Sequence, residues 1–254
     1  MRITNAVAAV IVANYLCSVS TAFGQNAVPG EILQRTILIK IGNSGGTAFS
    51  IEYRGIYYLV TARHVVAGLP RVDAVVQVRH LGEWKSYQVK KIIFPASEDV
   101  DIAVMESEEP APQQYSVAVA GEGEGVTLGQ QIWFLGYPFG DLALTSHFQN
   151  QELPFIKKGT LSAINGSNPN AVVLYIDGFN NPGFSGGPII FWDFQKHAYR
   201  VLGVVKGYRN DTAKVNVNGQ QIDSNILVNS GILIGYSIKH AIEAIEKDLG
   251  SKAQ

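Results

Sequence analysis

Short runs in which apolar and β-branched residues alternate with polar ones recur along the chain, punctuated by glycine, proline and asparagine. Alternation with period two marks a half-buried strand, and many such runs between turn residues mark an all-β fold. The pattern predicts strands at 36–41, 46–51, 56–61, 72–78, 87–94, 102–105 and 116–119. A second series follows at 131–135, 159–164, 172–177, 187–191, 199–206 and 231–236. Asn218 and Gly219, flanked by Val215, Val217 and Ile222, predict a tight hairpin, because two-residue hairpin turns favour Asn-Gly. One convincing helix is expected, at the end, where Ile238, Ala241, Ile242, Ile245 and Leu249 repeat at helical spacing behind a capping Ser237. That stripe reads as packing against a barrel, with an interface as the alternative.

The two series of strands lie on either side of Gly121, Glu122, Gly123, Glu124 and Gly125. This segment is read as the connection between two barrels of similar size, residues 25–119 and 120–254. A length of 254 residues is within the range that all-β folds occupy as one unit.

The first two dozen residues differ from the rest. Met1 and Arg2 give a positive start, a mostly apolar stretch runs from Ala6 to Leu16, and Ala22, Phe23 and Gly24 end it. That order reads as a secretory signal over 1–24, cleaved near Gln25. A retained membrane anchor needs about 20 uninterrupted apolar residues, and Asn5 and Asn14 interrupt this one. Cys17 is the one cysteine and lies inside the expected leader, after Tyr15 and Leu16, which are bulky for a lipoprotein cleavage site. The mature chain is therefore expected to hold no thiol, which excludes a disulfide framework, a cysteine nucleophile and a thiolate metal site. An exported protein without disulfides points to a bacterial periplasmic or secreted origin and a core that stands unaided. Net charge is −1 and charged residues make up 16%, so no basic footprint for nucleic acid is expected.

Three constellations carry chemistry. In Asn181, Pro182, Gly183, Phe184, Ser185, Gly186, Gly187, Pro188, a serine sits among glycines before an apolar run. A serine hydroxyl is a weak nucleophile until a base takes its proton, and the attacked carbonyl needs N–H donors nearby. A tight turn could aim the N–H groups of Gly183 and Ser185 at one point, as an oxyanion hole requires. Upstream, Thr61, Ala62, Arg63, His64, Val65 and Val66 follow an apolar strand and supply a candidate base. Between them, Asp101 leads into Ile102, Ala103 and Val104 and could orient an imidazole. Asp99 is its rival, on the same side of an extended chain; Asp101 is favoured because it abuts the apolar run.

The three motifs, T-A-R-H-V around His64, D-I-A-V from Asp101 and N-P-G-F-S-G-G-P around Ser185, resemble those of trypsin-like serine proteases in the same His, Asp, Ser order. The likeness is greatest to bacterial high-temperature-requirement proteases and their stand-alone relatives. It implies two perpendicular six-stranded antiparallel β-barrels of chymotrypsin-like form with the site in the cleft between them, a C-terminal α-helix beyond them, and a protein or peptide substrate. The chain ends about a helix past the second barrel, so the peptide-binding PDZ module of the larger relatives is not expected. Phe179, six residues before Ser185, stands where trypsin has an acidic residue, which implies an apolar primary pocket. Lys206, in the run Val201 to Gly207, would sit on the strand that pairs with substrate, reaching an acidic substrate group or facing solvent. His80, His147, His197 and His240 show no paired metal spacing, and no cofactor is expected. Glu106, Glu108 and Glu109 read as a solvated loop. The rival functions are a catalytically silent binding module on the same fold and a serine esterase.

Overall fold

The computed structural model describes residues 27–107, 125–140, 146–148 and 151–252. Residues 1–24, the strand expected at 116–119 and residues 121–124 of the connecting segment lie outside them. The first barrel comprises β1 (Thr36–Ile41), β2 (Ser44–Tyr53), β3 (Ile56–Thr61), β4 (Val72–His80), β5 (Glu83–Ile93) and β6 (Ala103–Ser107). It closes in the order β1-β2-β3-β6-β5-β4, every pairing antiparallel. One face of each strand fills it: Ile37 and Ile39 from β1, Leu59 from β3, Val76 from β4, Val89 from β5 and Met105 from β6 are buried together. Two of its hairpins turn on Arg54-Gly55 and Leu81-Gly82, with all four residues at positive φ, the geometry that matches strand twist across a two-residue loop.

After β7 (Gln131–Gly136) come two short strands, β8 (Ser146–Phe148) and β9 (Gln151–Leu153), which pair with each other. Then follow β10 (Phe155–Asn165), β11 (Val173–Asp177), β12 (Pro188–Asp193), β13 (Ala198–Val217) and β14 (Gln220–Ser237). The second barrel closes as β10-β11-β14-β13-β12-β7 around Ile132, Phe134, Leu161, Ile176, Ile189, Phe191 and Leu233. The expected all-β architecture of two six-stranded barrels is therefore observed.

One expectation needs correction. The runs predicted at 199–206 and 231–236 and the separate hairpin at Asn218-Gly219 are a single long pair, β13 and β14, which runs unbroken to that turn. Three register shifts, at Val205/Gly207, Tyr208/Asn210 and Lys214/Asn216, absorb the irregular positions. Residues 220–227 of β14 are exposed on both faces, so the ribbon lacks the alternation by which a half-buried strand is recognised.

The C-terminal helix (Lys239–Lys252) begins where Ser237 Oγ accepts the N–H of Lys239 at 3.4 Å. It packs on β5 and β6 of the first barrel. Ala241, Ala244 and Ile245 are buried, and Ile242 and Leu249 half-buried. Lys91 pairs with the buried Asp248 along the same seam, so the end of the second barrel is strapped to the first.

Asp193 ends β12 and sets the turn into β13. It accepts the N–H groups of Gln195 and Lys196 at 2.9 and 3.0 Å and pairs with Arg200 at 2.9 Å. The Arg200 hydrogen bond, helped by those N–H donors, holds its carboxyl below the usual aspartate range although burial acts the other way. Because the folded value is the lower one, the stabilisation is complete above about pH 3.9 and disappears as pH falls through the folded value. Asp193→Ala is expected to cost about 3 kcal/mol at pH 7, since it removes the buried carboxylate that pairs with a mostly buried guanidinium. In urea unfolding the gap to wild type should narrow as the pH is lowered below about 3.9; a gap independent of pH would contradict this account.

Candidate active site

His64 is carried by a short 3-10 turn, Arg63–Val66, directly after β3. Val65 and Val66 pack into the first-barrel core, which fixes the turn, while the imidazole is half exposed. Asp101 lies between Val100 and Ile102, both fully buried, so its backbone cannot drift. Its carboxylate takes two hydrogen bonds from the same residue: the His64 backbone N–H at 2.9 Å and ring Nδ1 at 2.6 Å. With Nδ1 as the donor, the neutral ring presents Nε2 as a bare acceptor. Burial pushes the Asp101 carboxyl up, but the His64 hydrogen bonds, with the charges of His64 and Lys206, bring it below the usual range. Asp99, two residues earlier, is exposed, and its N–H donates to Ser97 Oγ instead.

The segment 178–187 has neither helix nor strand, and its shape is set by what holds its carbonyls. Phe179 O accepts from Lys157 Nζ at 2.8 Å, Asn180 O from Asn229 Nδ2 at 2.7 Å and Pro182 O from the Phe139 N–H at 2.7 Å. Gly183 O accepts from Thr47 Oγ1 at 2.7 Å, and Ser185 O from the Thr47 N–H at 2.9 Å. Asn181 O and Phe184 O accept from the N–H groups of Phe184 and Gly187. Every carbonyl from 179 to 185 is thus engaged. Of the N–H donors between 181 and 187, those of Gly183 and Ser185 alone lack an acceptor among the described residues. Two glycines make this path possible. Gly183 has φ +99° and no room for a Cβ against Tyr137 O, and Gly186 has φ +84° with Thr47 O and Thr61 Oγ1 each 2.2 Å from where a Cβ would be.

These contacts bring the serine loop of the second barrel onto the histidine turn of the first. Gly186 abuts Thr61 and Ala62, and Gly46 lies between Val65 and Ser185 O. The Ser185 hydroxyl donates to Lys206 O at 3.0 Å, and among the described residues it is not hydrogen-bonded to the His64 ring. Catalytic hydrogen bonds are commonly long before substrate arrives.

A cleft of about 690 Å³ opens beside this point, lined by His64, Asp101, Lys206, Gly207, Tyr208 and Tyr236 among others. Lys206 Nζ lies 5.6 Å from the Tyr236 ring centroid, inside the cleft. Pairing of β12 with β13 stops at Val204, and Val205 is bonded to Gly186 and Gly187. From Gly207 onward β13 therefore has one edge that β12 does not cover. Phe179 is exposed but is not among the residues lining that cleft. Sequence reading missed Thr47, which reaches the second barrel through its N–H and hydroxyl while its carbonyl accepts from Thr61 Oγ1 within the first; the small-residue run Gly45-Gly46-Thr47 inside an apolar strand was its one signal. Lys157 and Tyr208 were missed as well. No cluster of three or more His, Cys, Asp or Glu able to hold a metal is found among the described residues. No helix among them is long and apolar enough to cross a membrane.

Comparison with known proteins gives a consistent result. The chain is 26% identical over 154 residues to Protease Do-like 1, chloroplastic, of Arabidopsis thaliana, covering 60% of this chain and 32% of that one. It is 24% identical over 214 residues to the serine protease Do-like HtrA of Lactococcus lactis, covering 83% and 48%. The chain thus spans from about a third to about half the length of these curated relatives. Solved structures of the same fold include the active form of the Rv3671c protease from M. tuberculosis, with TM-score 0.54, 20% identity and coverage of 85% and 81%. The HtrA-type protease AlgW with a tripeptide gives TM-score 0.55 at 21% identity, covering 85% of this chain and 60% of that one. The trypsin-like peptidase domain model matches residues 46–196, a stretch that contains His64, Asp101 and Ser185, and the chain belongs to that family.

Proposed function

We propose that the chain is a serine endopeptidase of the periplasm or extracellular space that cleaves peptide bonds through Ser185, His64 and Asp101. The observation that carries this reading is the pair of free N–H groups at Gly183 and Ser185 beside a hydroxyl, with an imidazole already oriented by a carboxylate. In the proposed cycle His64 Nε2 takes the Ser185 proton as Oγ attacks the carbonyl carbon. Asp101 holds the ring and balances the imidazolium, and the two N–H groups receive the developing oxyanion. The imidazolium then protonates the leaving amine, and a water activated by the same ring hydrolyses the acyl-enzyme. An extended peptide would add to the open edge of β13 at Gly207, where no side chain stands in the way, with Lys206 and Tyr208 beside it. Phe179 remains the candidate for the primary specificity pocket.

The test sets casein against a simple aryl ester, with fluorophosphonate labelling of the serine. Casein cleavage together with labelling is expected. Ester turnover without casein cleavage would indicate an esterase, and absence of labelling a binding module.

A further inference from the structure

We infer that Lys157 is a positioning residue for this chemistry, an internal clamp that holds the loop at 179–184 in the shape that leaves the Gly183 and Ser185 N–H groups free. The inference rests on the serine-peptidase reading above and adds to it a part outside the three motifs.

Lys157 projects from β10, opposite Phe134 of β7. Its ammonium donates to Phe179 O at 2.8 Å and to Asn181 Oδ1. It also lies 5.5 Å from the ring centroid of Phe179 and 5.2 Å from that of Phe184. One side chain thus holds three residues of a loop that has no secondary structure of its own, and they bracket Pro182 and Gly183. Among the described residues Lys157 faces no carboxylate; its partners are a carbonyl, an amide oxygen and two aromatic rings, all from this loop. Burial pulls the ammonium below the usual lysine range, as expected for a cation withdrawn from water onto neutral partners.

The clamp acts with Phe184, the residue before the nucleophile. Phe184 is fully buried and meets Phe134 edge-on at 5.6 Å, so an apolar anchor fixes one end of the loop. Lys157 fixes the other end at Phe179 and the middle at Asn181. Without it, the carbonyl of Phe179 and the side-chain amide of Asn181 lose their constraint. The 182–183 peptide is then left held only at Pro182 O by the Phe139 N–H and at Gly183 O by Thr47 Oγ1, and its rotation would withdraw the Gly183 N–H. Losing one oxyanion donor costs roughly 100- to 1,000-fold; losing its positioning should cost a share of that.

Lys157→Met keeps most of the length of the side chain and removes the ammonium. It is expected to slow fluorophosphonate acylation of Ser185 by about 10- to 100-fold, and to lower kcat for a peptide substrate while KM stays within about twofold. Lys157→Arg, which retains donors for Phe179 O and Asn181 Oδ1, should recover most of that rate. Asn181→Ala removes one acceptor and should slow acylation several-fold, and it carries the test if Lys157→Met does not fold. Acylation of Lys157→Met, or failing that of Asn181→Ala, at the wild-type rate would overturn the clamp. So would an effect confined to KM for peptides with acidic side chains, which would make Lys157 a substrate-binding lysine. Wild-type protein that does not label at all would instead sink the underlying serine reading, so the two failures are distinguishable.

Discussion

Ser185→Ala is expected to lower kcat for peptide hydrolysis by roughly 10⁴- to 10⁶-fold, with the folded state nearly unchanged. The hydroxyl makes one hydrogen bond, to Lys206 O, worth about 1 kcal/mol or less at a partly open site, so urea unfolding should shift by no more than that. The residual rate is that of a site which still binds peptide and still offers two N–H groups to the oxyanion. The variant should therefore bind a peptide substrate with little change while turning it over only at that residual rate. Steady-state kinetics beside an unfolding curve separate the two effects. Turnover within tenfold of wild type would mean that another group attacks the carbonyl.

Gly186→Ala should be among the most damaging single methyl groups at the described residues. Its Cβ would meet Thr47 O and Thr61 Oγ1 at 2.2 Å and Ala62 N at 2.8 Å, and the backbone is at φ +84°. Left-handed strain and overpacking together predict a loss of about 3–5 kcal/mol. The neighbours are mainly backbone, so they cannot swing aside as a flexible side chain would. Relief comes only by parting the Ser185 loop from the Thr61-Ala62 segment that leads to His64. Stability and serine labelling should therefore fall together, whereas Gly207→Ala, with nothing within 4 Å of its Cβ, should keep its stability.

Most of the architecture was legible because a half-buried strand writes its burial into the sequence with period two. Residues 72–78 fall within β4 for that reason, whereas 36–41 and 56–61 coincide with β1 and β3 as short continuous apolar runs, buried over four successive residues. Where the chain shows neither an apolar run nor alternation the reading fell short. Residues 220–227 of β14 are exposed on both faces, so only the turn at Asn218-Gly219 was read there and not the length of the strands it joins, and the turns at Arg54-Gly55 and Leu81-Gly82 carry only one glycine each. His64, Asp101 and Ser185 could be singled out as candidates because each sits at the end of an apolar run, where a fixed backbone can present a polar group to a cleft. Asp101 was preferred to Asp99 on its neighbours alone, and its carboxylate is the one bonded to His64. Thr47 and Lys157 were not found, since each acts through contacts with residues more than twenty positions away in sequence. No local pattern encodes such a contact. The same limit applies to the free N–H groups of Gly183 and Ser185, which are defined by where the neighbouring carbonyls go.

The measurement that bears most directly on the convergence of these side chains is peptide mapping of the fluorophosphonate adduct by mass spectrometry, in wild type and in His64→Ala. The account predicts one modified peptide, carrying the adduct on Ser185, and a labelling rate reduced at least about 1,000-fold in His64→Ala with the unfolding curve preserved. An adduct on another residue, or undiminished labelling of Ser185 in His64→Ala, would contradict it.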